Sequence, residues 1–77
     1  MILIEHLYDP PPDIWHALAD PTRRSLIDRL AAMPSTTSQL CSGSALSRFA
    51  VMKHLGVLEA AGLVTSRKIG RVRTNYL

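Results

Sequence analysis

Arg67, Lys68, Arg71 and Arg73 place four cations within seven residues around Gly70. These are the residue types that grip a phosphate backbone or reach into an adjacent minor groove. Upstream, Phe49 and Met52 stand beside Lys53 in a stretch of helical periodicity, and an apolar pair next to a cation on an outward face needs a partner to cover it. No catalytic arrangement competes: there is no glycine-rich phosphate loop, no pair of carboxylates suited to a cleft and no nucleophile elbow, so the chain reads as a non-enzyme. Metal chemistry fares no better, since Cys41 is the single cysteine and His6, His16 and His54 are scattered without i, i+4 spacing. Cys41 reads as a small buried apolar residue, with a redox-sensing thiol as its other role. No metal and no cofactor are expected.

The charge is placed unevenly. Residues 1–46 hold three Lys/Arg against five Asp/Glu, whereas residues 47–77 hold six against one. A C-terminal half with a surplus of five positive charges suits a polyanion, although a merely solvated basic face has the same composition. At 77 residues one small domain is possible, burying only about 60% of the surface its unfolded chain exposes. No apolar run approaches the ~20 residues that span a bilayer, and Met1–Tyr8 lacks the basic start and cleavage site of a secretory signal. With one cysteine and no disulfide, a reducing, cytoplasmic location is expected.

The elements that must position these residues follow from periodicity and caps. Residues 1–11 read as an arm, ended by Pro10, Pro11 and Pro12. A first short helix opens at Pro12 or Asp13, with Ile14 and Leu18 four apart on one face and Trp15 as a core or interface residue. Asp20 before Pro21 caps a second helix running to about Met33, with Leu26, Ile27, Leu30, Ala31 and Met33 as its apolar stripe. Arg23 and Arg24 in its first turn oppose the helix dipole, and a phosphate or a carboxylate such as Asp20 or Glu59 must offset that. Ser35 and Thr36 suit a one-bridge strand, and Thr36 with Gln39 forms a capping box for a third helix, Thr37 to about Ser42. Ser47 caps a fourth helix, to about Ala61. There Val51, Leu55 and Leu58 fall within about 60° of one another at about 100° per residue and face the core, while Phe49, Met52, Lys53, Gly56 and Ala60 point away. After Gly62, two strands, Leu63–Ile69 and Val72–Leu77, flank Gly70 and Arg71 as a hairpin.

The order α-α-β-α-α-β-β defines a mainly α fold with a small β-hairpin, the winged helix-turn-helix, over residues 12–77. The third helix braces the fourth, which fits a major groove, and the hairpin forms the wing. A small helical domain with an incidental hairpin gives the same string of elements.

The residues Ala17-Leu18-Ala19-Asp20-Pro21-Thr22-Arg23-Arg24 resemble the opening of the ArsR-type winged helix regulators. So does the run from Ala50 to Val64, with Lys53-His54-Leu55 at its centre, followed by a glycine-tipped basic wing. The resemblance spans about Asp13 to Leu77. It implies a transcriptional regulator, usually a homodimeric repressor, bound to double-stranded DNA. Carried over by position, it places Ser47, Arg48, Phe49, Met52, Lys53 and His54 at or near DNA and has Thr37 and Ser38 touch a phosphate. The chemistry agrees for most of them: Lys53 and Arg48 reach phosphate or a guanine edge, and Phe49 and Met52 suit thymine methyl groups. For Ser47 an N-cap explains the residue as well as a phosphate contact does, and His54, on the flank of the core stripe, suits either a boundary position or DNA. The family often carries serine where Met52 stands, so no base preference transfers.

Metal-responsive members of that family use a Cys-x-Cys pair in the third helix or ligands on a helix after the wing. Here Gly43 stands where the second thiol would be. Relatives dimerise through the first helix and a helix beyond the wing, and Leu77 falls where that helix would begin. Either the chain is a fragment, or the Trp15 helix and the arm form the homodimer interface. The reading is therefore a sequence-specific DNA-binding regulator that represses by promoter occlusion, with residues 47–61 in the major groove and residues 64–77 on the backbone or minor groove. A winged helix that binds a protein through Phe49 and Met52 is the other class.

Overall fold

The computed structural model describes residues 13–77; the expected arm, residues 1–11, lies outside them. The elements are α1 (Asp13–Leu18), α2 (Pro21–Ala32), β1 (Ser35–Thr36), α3 (Thr37–Ser42), α4 (Arg48–Ala60), β2 (Thr65–Ile69) and β3 (Val72–Tyr76). Their order is the expected one.

Local chemistry sets the helix ends. Asp20 accepts from the Arg23 N–H at 3.0 Å, with Pro21 as the first helical residue. Thr36 Oγ1 accepts from the Gln39 N–H at 3.0 Å while Gln39 Oε1 accepts from the Thr36 N–H at 2.8 Å, closing the capping box of α3. Ser47 Oγ accepts from the Ala50 N–H at 3.2 Å, so the cap role of Ser47 is realised. At the far end of α4, Gly62 takes φ +76°, and the N–H groups of Gly62 and Leu63 bond back to the carbonyls of Glu59 and Leu58. This double closure needs a left-handed residue, which glycine supplies without strain.

Every helix contributes to one core: Ala17 from α1, Leu26 and Leu30 from α2, Leu40 from α3, and Val51, Leu55 and Leu58 from α4, joined by Ala61 and Val64. Because Val64 is buried among the helices, strand pairing begins only at Thr65 rather than at Leu63. The stripe expected on α2 is shorter than its pattern suggested. The helix stops at Ala32, Ala31 is exposed, and Met33 turns outward at 64% exposure. Trp15 is likewise outside the core, at 68% exposure.

The sheet runs β1-β3-β2, antiparallel throughout. Ile69 pairs with Val72 across a two-residue turn in which Gly70 has φ +61° and Arg71 does not leave the negative-φ region, the type II′ pattern that matches strand twist. Asn75, buried on β3, donates from Nδ2 to the Ser35 carbonyl and to Thr37 Oγ1, both at 3.2 Å. One amide thus ties the wing to β1 and to the start of α3.

The arginines of α2 find partners that the sequence reading did not foresee. Arg23 donates from Nε to the Ala17 carbonyl and from Nη2 to the His16 carbonyl, each at 2.8 Å, and Arg24 donates to the Leu18 carbonyl at 2.7 Å. The negative C-terminal end of α1 offsets the cationic first turn, because its last carbonyls have no intrahelical partner, and the Asp20 carboxylate assists it. Arg29 repeats the device on α3, donating to the Leu40 and Gln39 carbonyls at 3.0 Å each. Its guanidinium occupies the space beside Gly43, where a Cβ would lie 2.7 Å from Nη2.

Two outcomes follow from these contacts. Gly43→Ala is expected to displace the Arg29 guanidinium and lower stability by about 1 kcal/mol, and Arg29→Ala to cost a similar amount. Since both act on one contact, the double variant should lose little more than either single one, which urea unfolding of the four proteins checks. The Asp20 carboxyl is held below the ordinary aspartate range, chiefly by the Arg23 N–H; burial opposes this, and the charges of His54 and Arg23 assist it. A lowered native pKa contributes stability that is complete above the ordinary range and is lost as pH falls through the lowered value. Acid titration of the wild type should show that loss, and Asp20→Asn, which keeps a capping oxygen, should remove this component of it.

Candidate nucleic-acid interface

Helix α4 carries the site on the face opposite its core residues. Val51, Leu55 and Leu58 point inward, while Phe49 (78% exposed), Met52 (51%), Lys53 and Gly56 lie outside. The periodicity that buries one side necessarily presents the other. Arg48, at the exposed start of the helix, donates from Nη1 to Ser38 Oγ on α3 at 3.3 Å. That contact points a guanidinium and a hydroxyl of the two helices of the motif to one place.

The wing meets them there. Ser38 and Arg48 line a cleft of about 170 Å³ together with Thr36, Thr37, Arg71, Val72 and Arg73. A neighbouring cleft of about 220 Å³ is lined by Met52, Leu55, Gly56, Glu59 and Arg73, with Thr37 and Asn75 at its back. Arg73 belongs to both, so the outward face of α4 and the cationic notch form one continuous surface. Arg73 is also held in place: its Nη1 donates to Ser66 Oγ at 3.0 Å, and that hydroxyl donates to Glu59 Oε1 at 2.8 Å. Glu59, the single carboxylate among residues 47–77, is thereby turned to orienting a cation. Contacts seven residues apart across a turn leave no local signal in the sequence, so this relay was not foreseen.

The remaining expected site residues divide. Strand alternation puts Lys68, opposite Arg73, on the face of Ser66 and Asn75; Arg67, opposite Thr74, stands on the other face with Ile69 and Val72. The four wing cations are thus close in sequence without sharing one surface. Thr37, expected to touch a phosphate, is buried, and its hydroxyl accepts from Asn75; its side chain serves the sheet and does not face outward. Ser47 is exposed but its hydroxyl caps α4. His54 is half-buried, with Nδ1 3.2 Å from Arg23 Nη1 and 3.9 Å from Asp20 Oδ2. An arginine can only donate, so this ring nitrogen is the acceptor, and it binds α4 to the start of α2. Cys41 is half-buried against the core. Among the described residues no three metal-ligating side chains converge, and no helix is long and apolar enough to cross a membrane.

Comparison with known proteins places this geometry in a family. A family profile described as a helix-turn-helix domain matches residues 18–67. The chain is 43% identical over 70 residues to the HTH-type transcriptional regulator Rv2034 of Mycobacterium tuberculosis, covering 91% of this chain and 65% of that protein. It is also 43% identical over 67 residues to the uncharacterized HTH-type transcriptional regulator YuzN of Bacillus subtilis, covering 78% of this chain and 73% of the relative. The crystal structure of an ArsR family transcriptional regulator, RHA00566, superposes with a TM-score of 0.84 at 39% identity, over 90% of this chain and 76% of the other. The chain therefore spans about two thirds to three quarters of the length of these relatives, and it shares its fold with the RHA00566 structure. The protein belongs to the ArsR family of winged helix-turn-helix transcriptional regulators.

Proposed function

We propose that the protein is a sequence-specific DNA-binding repressor of the cytoplasm that acts by occluding a promoter, with α4 in the major groove and the wing on the backbone or adjacent minor groove. The observation that carries the reading is the shared cleft of Ser38, Arg48, Arg71 and Arg73, which adjoins the outward face of α4. Three guanidinium groups from two separate elements gathered beside one helix suit a row of phosphates flanking a groove. A protein partner for Phe49 and Met52 is the weaker reading, because Met52 lines a cleft together with Arg73 and the apolar pair is not set apart from the cations. Thr37 and Ser47 hold local structure in this reading, and His54 positions α4.

A single half-site reader binds weakly, and a palindromic operator needs two readers about one helical turn apart. Trp15, exposed on α1, is the proposed anchor of a homodimer to which the arm also contributes. Sedimentation of the purified chain should show a dimer, and Trp15→Glu should shift it to monomer with a corresponding loss of operator affinity; a Trp15→Glu dimer would move the interface elsewhere.

Five cations face the proposed DNA side: Arg48, Lys53, Lys68, Arg71 and Arg73. At about −0.9 per phosphate contact, log affinity should fall with log salt at a slope near −4 to −5 per half-site. Titrations of random and selected duplexes across a salt series test this, and salt-insensitive or absent binding refutes it. Arg71→Ala should weaken binding to all sequences alike and flatten the slope by about one. Lys53→Ala should weaken binding as well, whereas Arg67→Ala, on the other face of the hairpin, should leave the slope unchanged.

A further inference from the structure

Gly56 has no internal reason to be glycine. It lies in the middle of α4, its φ is not positive, and a Cβ built on it would meet nothing within 4 Å. An exposed helix-interior glycine costs about 1 kcal/mol relative to alanine, so neither backbone geometry nor packing within the chain accounts for it. The residues sharing its face are informative. Phe49, Met52 and Gly56 are spaced by three and four along the helix and form one stripe, with the two side chains 78% and 51% exposed. The stripe carries no hydrogen-bonding side chain. Its borders are charged, with cations in excess: Arg48 at the start of the helix, Lys53 beside Met52, and Arg73 across the cleft that Met52 and Gly56 line, against the one carboxylate of that cleft, Glu59, which is bonded to Ser66.

An apolar strip with a flat centre, framed by cations, complements a polyanion whose recessed interior bears apolar groups. On duplex DNA that description fits the major groove, where the 5-methyl of thymine is the apolar group displayed among hydrogen-bonding edges. Phenyl and thioether groups have no donor for a purine N7 or O6, so charge and hydrogen bonding at this stripe cannot select a base. Methyl contact can.

We infer that α4 reads its site through thymine 5-methyl groups: Phe49 and Met52 each pack on a methyl, and Gly56 removes the side chain that would hold the helix away from the groove floor. Phe49 is near the N-terminus of α4, the end that contacts base edges when a recognition helix docks. The inference rests on the DNA-binding reading and assigns it a chemical basis of specificity.

The test replaces thymine by deoxyuridine, which removes the 5-methyl and leaves every hydrogen-bonding group in place. Duplexes are selected from a random pool with the 77-residue chain, and each thymine of the selected duplex is then exchanged singly for deoxyuridine. At the thymines that α4 contacts, affinity should fall about fourfold per methyl, the equivalent of ~0.8 kcal/mol for one buried carbon. Phe49→Ala and Met52→Ala should each abolish the penalty at a particular position while keeping the wild-type salt slope. Gly56→Leu should raise the melting temperature, because leucine favours the helix, yet lower affinity for the selected duplex at least tenfold. Equal affinity for the thymine and deoxyuridine duplexes overturns the methyl reading and leaves DNA binding intact. Undiminished binding by Gly56→Leu also overturns it, because the helix face at Gly56 then does not lie against the groove floor. Absence of salt-dependent binding to any duplex overturns both readings together.

Discussion

The arrangement of the four helices depends on arginines of α2 reaching into the carbonyl ends of their neighbours. Helices α1 and α3 have six residues each, too few to persist alone, and helices this short leave most of their terminal carbonyls open. Arg23 and Arg24 close the end of α1, and Arg29 closes the end of α3. Hydrogen bonds from a cation to a carbonyl are stronger than neutral ones, and here they coincide with opposed helix ends, where the cationic start of α2 faces the negative terminus of α1. Arg23 is nearly buried, which is tolerable because its guanidinium is paired; among the described residues no buried side-chain nitrogen or oxygen lacks a partner. Through His54 the same guanidinium also reaches α4. The orientation of α4 is thus tied to a charge that is itself buried.

A second polar device, centred on β3, sets the wing. Asn75 is fully enclosed, and its amide spans from β3 to β1 and α3. An unsatisfied buried amide is costly, so Asn75 is accommodated only in the register that pairs it with Ser35. A slip of one residue would bury a neighbouring side chain in its place and expose the amide. With β3 fixed in this way, Arg73 projects beside α4, and the Ser66 and Glu59 relay settles its direction. Hairpin and helix are therefore placed relative to each other by polar side chains, while the apolar core supplies most of the cohesion.

The elements were legible in the sequence because their signals are local. Asp20-Pro21, the Thr36 and Gln39 box, Ser47, Gly62 and Gly70 each mark a boundary within a few residues, and the spacing of Val51, Leu55 and Leu58 marks the buried face of α4. Contacts between distant residues were not legible. Apart from His54, the partners of the Arg23, Arg24 and Arg29 side chains are main-chain atoms, which every residue has, so side-chain identity carries no trace of them. Thr37 looked like a surface hydroxyl because nothing near it in sequence reveals Asn75. The spread of the wing cations was hidden for a different reason: four positive residues in a short run look like one patch until strand pairing assigns Arg67 to one face and Lys68 and Arg73 to the other.

Net charge consequently overstates how much of this protein addresses a polyanion, and its distribution over the fold says more. Of the nine Lys/Arg residues, the three on α2 are bound to helix ends, and Arg67 stands on the far side of the hairpin. The cations that remain frame an apolar helix face whose centre is a glycine. Charges at a rim attract and orient a polyanion without distinguishing sequences, because every duplex carries the same phosphates. In the proposed complex discrimination falls to the groups that reach base edges, and inside the rim Phe49, Met52 and Gly56 offer shape and apolar contact. In the proposed complex, affinity and selectivity therefore draw on different residues of one surface, and a phosphate-bound cation at the rim acts on all sequences alike while a change at the stripe acts on which sequence is held.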